Sequence, residues 1–178
     1  MPDTPLTLLL VEDQEDDVLM ITRVLKKSGF DLHYHHVDTA KAMTEALNAR
    51  NIDAIICDHS MPSFGSIDAL EILRDSGQDL PFIIVSGMID DQSAVAAMKA
   101  GAHDYVLKDN LTRLVPALHR ELHEAAIRAE HRKATDELRQ KEQDLRQIIN
   151  NIVIGILIID DQGRILSINP SACNIFGY

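Results

Sequence analysis

The sequence predicts an α/β fold in which five strand–helix pairs wind into a parallel sheet covered on both faces. Three observations predict it. Short apolar runs alternate with amphipathic helical stretches along roughly the first 125 residues. Turn-forming residues punctuate the junctions. Carboxylates, a serine and a lysine stand at the ends of the apolar runs rather than within them, where function gathers in open parallel sheets.

The elements follow in order. "LTLLLV" (residues 6–11) is the first strand, and "EDDVLMITRVLKK" (15–27) a helix with Val18, Ile21 and Leu25 on one face, stopped by Ser28-Gly29. "LHYHHV" (32–37) is the second strand; "TAKAMTEALNAR" (39–50) is a helix capped by Asp38 or Thr39. "AIIC" is the third strand, ending at Asp58, and "SIDALEILRD" (66–75) the third helix. "FIIVS" (82–86), "QSAVAAMKA" (92–100), "DYVLK" (104–108) and a helix from Pro116 complete the five pairs.

After about residue 120 the grammar changes. "HRELHEAAIRAEHRKATDELRQKEQDLRQIINNI" holds neither Gly nor Pro and is crowded with charge, with Leu138, Leu145 and Ile152 at heptad spacing and Ile148 between them. That pattern predicts a long helix whose later part pairs with a second copy of itself, although the apolar seam is thin from Ala129 to Glu137. The competing expectation is a solvated single helix held by ion pairs. "IGILIIDDQGRILSINPSACNIFGY" then reads as strand, turn at Asp160 to Gly163, strand and short helix, too short to bury a core alone. The expected domains are therefore 1–125, a helical linker over 126–150, and a fragment of a further domain over 151–178.

The net charge of −11 argues against direct nucleic-acid or anionic-membrane binding. No run of about 18 apolar residues marks a membrane span, and the acidic start lacks the basic region of a signal peptide. Cys57 and Cys173 make no disulfide framework, so a cytoplasmic location is expected.

Asp58 raises the central chemical question, because a strand interior disfavours an unpaired charge. Glu12 and Asp13 end the first strand, Ser86 the fourth and Lys108 the fifth. If the first and third strands are neighbours, the carboxylates converge, and Mg²⁺ and Lys108 make that convergence tolerable. A carboxylate with a hydroxyl, an ammonium and a divalent cation is equipped to accept a phosphoryl group. The blander readings are a strand-end cap for Asp58, a turn residue for Ser86, a solvated lysine for Lys108 and a core aromatic for Tyr105. His33, His35 and His36 alternate across a strand, and His119 and His123 share a helical face without an acidic partner, so none is assigned to a metal. Asp16 and Asp17 are read as favouring the start of the first helix through its dipole.

"LLLVEDQEDD", "IICDHSMP", "IIVSG" and "AGAHDYVLKDN" together resemble the signature blocks of response-regulator receiver domains, over roughly residues 5 to 125. The resemblance implies a flavodoxin-like (βα)5 sheet in the order 2-1-3-4-5. It implies Asp58 as phosphoacceptor, Glu12 and Asp13 as the acidic pair, Ser86 as switch hydroxyl, Tyr105 as switch aromatic and Lys108 as the phosphate-pairing lysine. Mg²⁺ would be held by Asp13, Asp58 and the backbone carbonyl of Ser60, with Glu12 acting through water. The implied partner is a sensor histidine kinase or phosphotransfer protein. On phosphorylation Ser86 would move toward the new oxygens, and Tyr105 would turn inward.

Two positions depart from the family pattern: Asp109 replaces the usual Pro after Lys108, and Gly65 stands one position early. Ser60 and Met88 occupy sites where receivers vary in admitting water. "LRQIINNIVIGILIIDDQGRILSINPSACNIFGY" is similar to the opening of a PAS sensor domain, covering about a third of one, and no cofactor is assigned to it.

The expected function is phosphorelay signalling, with a linker helix and PAS output, a homodimer through that helix, and no enzymatic turnover beyond self-phosphotransfer and slow self-dephosphorylation. The alternatives are a scaffold or dimerisation module in which Asp58 is inert, and the N-terminal part of a hybrid sensor kinase. An aspartyl phosphatase would carry a DxDx(T/V) pattern after the first strand, where "VEDQEDD" stands instead.

Overall fold

The computed structural model describes residues 4–62, 64–87, 91–152 and 154–177. Five parallel strands, β1 (Thr4–Val11), β2 (Phe30–Val37), β3 (Ala54–Asp58), β4 (Phe82–Ser86) and β5 (Asp104–Leu107), form one sheet in the order β2-β1-β3-β4-β5. Between them run α1 (Glu15–Lys27), α2 (Ala40–Ala49), α3 (Ser66–Ser76) and α4 (Asp91–Ala100); a 3-10 helix (Lys108–Arg113) and α5 (Leu114–Asn151) follow β5.

Strand alternation divides the apolar residues between two layers. Leu9, Val11, Ile55, Cys57, Phe82, Ile84 and Tyr105 join Met43, Leu47, Leu70, Leu73 and Ala97 from α2, α3 and α4. Leu8, Leu10, Ile56, Ile83, Val85 and Val106 join Val18, Ile21 and Leu25 of α1 and Leu114 and Leu118 of α5. Both faces of the central strands are therefore dry, and every residue of β3 and β4 is buried, Asp58 and Ser86 included.

Local signals set the element ends. The N–H of Ser28 bonds the Leu25 carbonyl at the end of α1, and Gly29 follows at φ 87° in the left-handed region that favours glycine. Thr39, not Asp38, caps α2, its hydroxyl accepting the Ala42 N–H at 3.4 Å. β1 and β2 begin earlier than their apolar runs, because Thr4 and Pro5 pair in register with Phe30 and Asp31. Lys108 lies just past β5 and opens the 3-10 helix instead of ending the strand, and Pro116 sits in the first turn of α5, where its missing N–H has no partner to lose. Gly65 caps α3, its N–H donating to Asp68 at 3.1 Å.

Residue contacts divide the chain into two units, Met1–Ile127 and Arg128–Tyr178. In the second, every residue of α5 from Ala129 to Asn151 is exposed. β6 (Leu157–Ile159) and β7 (Ile165–Ile168) form an antiparallel hairpin, followed by α6 (Pro170–Phe176). Asp160 shapes the hairpin turn, one carboxylate oxygen accepting the N–H groups of Gln162 (2.9 Å) and Arg164 (2.8 Å). Buried Asn169 ties the unit together: its Oδ1 accepts from Ile156 and Ala172, and its Nδ2 donates to the carbonyls of Ile149 and Ile154. None of the described helices is long and apolar enough to cross a membrane.

Candidate phosphoacceptor site

Val11 lies opposite Cys57 in the β1–β3 register, so Glu12 and Asp13 leave the sheet beside Asp58. Carboxylate oxygens of Glu12, Asp13 and Asp58 lie within 4.8 Å of one another, and these three are the one such cluster among the described residues. Glu12 is buried and immobilised. Its Oε1 accepts the N–H groups of Asp13 (3.1 Å) and Gln14 (3.2 Å), its Oε2 accepts from Lys108 (2.9 Å), and its backbone carbonyl meets His36 Nε2 at 2.7 Å. Burial pushes the Glu12 carboxyl above the usual range; the Lys108 hydrogen bond opposes this and the nearby Asp58 charge adds to it.

Asp58 uses its oxygens differently. Oδ1 accepts the Ser60 N–H at 3.3 Å, and Oδ2 accepts from Lys108 Nζ at 3.1 Å. Asp13 is exposed, and among the described residues its carboxylate makes no hydrogen bond or ion pair. A free carboxylate next to a half-committed one suits a hard cation, whereas both oxygens of Glu12 already have protein donors.

Lys108 draws the strand ends together. Its ammonium donates to Glu12, Asp58 and Asp17. Burial alone acts to lower its pKa, but the hydrogen bonds to Asp17, Glu12 and Asp58 outweigh that and hold it above the ordinary lysine value. Cys57 does not compete as a nucleophile. Burial, followed by the Asp58 and Glu12 charges, pushes its thiol well up, and its Sγ donates to the Asp58 carbonyl.

Ser86 is buried at the end of β4, one residue beyond Val85, which pairs with Asp58. Tyr105 is buried already, in the layer beneath α2, α3 and α4, so an inward turn from an exposed position does not describe this conformation. Its ring stands 6.0 Å from that of His59, tilted 60°, and His59 Nδ1 meets Ser66 Oγ at 2.8 Å. The early glycine thus puts Ser66 at the start of α3, against the residue after Asp58. Met88 lies outside the described residues.

Asp17 stands in the first turn of α1, where its charge favours the helix start, and its carboxylate also reaches Lys108. Helical side chains lean toward the N-terminus of their helix, and the N-terminus of α1 borders the carboxyl end of β1, which brings Asp17 toward the strand ends. His36 lacks metal-ligand spacing, and its contact is to a backbone carbonyl that spacing does not reveal. His119, expected on a solvated face, is exposed and stacks on Phe30 with centroids 4.7 Å apart.

The response regulator receiver domain family matches residues 8–119, and a PAS domain family matches residues 143–178. The transcriptional regulatory protein PrrA of Mycobacterium leprae is 33% identical over 100 residues, which is 56% of this chain and 42% of PrrA. The transcriptional regulatory protein FixJ of Rhizobium meliloti is 31% identical over 160 residues, covering 86% of this chain and 76% of FixJ. The crystal structure of FixJ-N matches with a TM-score of 0.58 at 30% identity, over 69% of this chain and 96% of that one. This chain belongs to the response regulator receiver domain family, the receivers of two-component signalling, and its residues 143–178, beginning within the last turns of α5, match a PAS domain family. It spans less than half the length of PrrA.

Proposed function

We propose that this receiver takes a phosphoryl group onto Asp58 from a histidine kinase or phosphotransfer protein and passes the change to α5 and the PAS region. One observation carries the reading: Lys108 bonds Asp58 and Glu12 while the Asp13 carboxylate stands free beside them. An Asp58 oxygen forms a bond to phosphorus as the bond from phosphorus to the donor's imidazole nitrogen breaks, leaving the imidazole to take a proton. Return occurs when water adds to phosphorus and the acyl oxygen–phosphorus bond breaks, releasing inorganic phosphate and restoring the carboxylate. Mg²⁺, held by Asp13, Asp58 and the Ser60 carbonyl, with Glu12 acting through water, would neutralise the phosphoryl oxygens. Lys108 pairs with those oxygens, and Ser86 donates a hydrogen bond to them. No external substrate is turned over by these residues.

The output follows from what touches the site. Tyr105, packed against His59, links the residue after Asp58 to β5, and β5 leads through the 3-10 helix into α5. Two copies pair through the exposed seam of Leu138, Leu145 and Ile148, in the cytoplasm and without direct contact to nucleic acid.

Incubation with acetyl phosphate and Mg²⁺, read by intact mass, tests the assignment. The parent gains one phosphoryl group and Asp58→Ala gains none. If neither gains mass and a kinase also fails, the domain is a scaffold.

A further inference from the structure

The three carboxylates on Lys108 are not equivalent. An ammonium has three N–H donors, and Lys108 commits them to Glu12 (2.9 Å), Asp58 (3.1 Å) and Asp17. A phosphoryl oxygen on Asp58 would be a further acceptor, reached by giving one of these up. Glu12 cannot be given up cheaply. Its side chain is 3% exposed, so its release would strand a buried charge. Asp17 differs in each respect: its side chain is 19% exposed, it belongs to the first turn of α1, and among the described residues Lys108 is its sole hydrogen-bond or ion-pair partner. A carboxylate released there returns to water at a helix end that favours negative charge. Asp17 also stands outside the cluster of Glu12, Asp13 and Asp58 that suits a cation.

We propose that Asp17 is an exchangeable counter-ion for Lys108. It holds the ammonium while Asp58 is unmodified and yields it to the phosphoryl oxygens, and so opposes the phosphorylated state. Asp17 is thus a positioning residue that sets how far the phosphorylation equilibrium runs, and it acts through Lys108. The inference rests on the assignment of Asp58 as phosphoacceptor. It runs opposite to a purely structural role, in which losing Asp17 would loosen Lys108 and weaken phosphoryl binding.

Beryllofluoride, which mimics an aspartyl phosphate, separates the two by calorimetry on the whole chain at saturating Mg²⁺. Asp17→Asn and Asp17→Ser should each bind it roughly threefold to tenfold more tightly than the parent, the range set by one partly exposed ion pair. Asp17→Glu should restore parental affinity. Unchanged or weaker binding in the Asn and Ser variants overturns the inference. A crystal structure of the parent with Mg²⁺ and beryllofluoride provides a readout that needs no variant. The Asp17 carboxylate should lie beyond hydrogen-bond distance of Lys108 Nζ, and a retained contact overturns the exchange. A parent that binds no beryllofluoride overturns the Asp58 assignment and this inference with it, whereas a binding parent with unchanged variants overturns the inference alone.

Discussion

β3 and the tail hairpin are built from similar residues and meet opposite fates. Ala54, Ile55, Ile56 and Cys57 are all buried, whereas every residue of β6 and β7, four isoleucines and two leucines among them, is exposed. Apolar composition makes a strand eligible for burial; layers on both faces deliver it. β3 has β1 and β4 beside it and helices above and below, while β6 pairs with β7 alone. The consequence for chemistry is direct. Glu12 and Asp58 lie at the rim of the dry sheet, where an ammonium is a strong partner and an unpaired charge is expensive. In the hairpin's own ion pair the cation is open to water: Arg164, paired with Asp160, is largely exposed.

The largest effect expected from this contrast is in the core. Ile55→Ala, at a fully buried site, should destabilise the receiver by about 2–5 kcal/mol in urea unfolding, through lost transfer energy and a residual cavity. The matched change Ile158→Ala, at a residue half exposed, should stay within about 0.5 kcal/mol. Equal losses at the two positions would break the comparison.

Next in size is the rim. Lys108→Met leaves Glu12 and Asp58 without their cation and should lower stability by about 2–4 kcal/mol in the absence of Mg²⁺. The sign with pH follows from the raised Lys108 pKa. Its contribution is fully present below the ordinary lysine value near 10.4 and is lost as pH climbs through its higher folded value. The gap between parent and variant should therefore stay constant around neutrality and, on the alkaline side, close only in strong alkali. The smallest effect belongs to the exposed seam. Leu145→Asp should weaken self-association roughly tenfold in sedimentation equilibrium and leave the receiver's unfolding midpoint in place. An unchanged association constant would mean that α5 does not pair through that face.

Most of the sheet was legible because its strands are short, apolar and separated by helices with a clear face, so Val18, Ile21 and Leu25 point inward by periodicity and unbroken apolar runs mark strands buried on both faces. Glu12, Asp13, Asp58 and Lys108 were legible for a related reason: parallel strands bring their carboxyl ends to one edge, and polar residues just past apolar runs stand there. Asp17 was not, since its partner lies on another element and three consecutive acids at a helix start already have an adequate explanation in the dipole. Burial of Tyr105 was legible, since an aromatic in a strand is usually core, but its packing against His59 was not, because the two share no sequence pattern. The 3-10 turn at Lys108 escaped because "DYVLK" reads as one uninterrupted strand.

The central claim concerns one oxygen on one residue, and reductive trapping addresses it directly. Borohydride reduces an acyl phosphate to the alcohol, so a phosphorylated aspartate is read in peptide mass spectra as homoserine. After treatment with acetyl phosphate and Mg²⁺, homoserine is predicted at position 58 and nowhere else, and it should vanish when the metal is chelated. Homoserine at Asp13 or Asp17, or none at any position, would contradict the account.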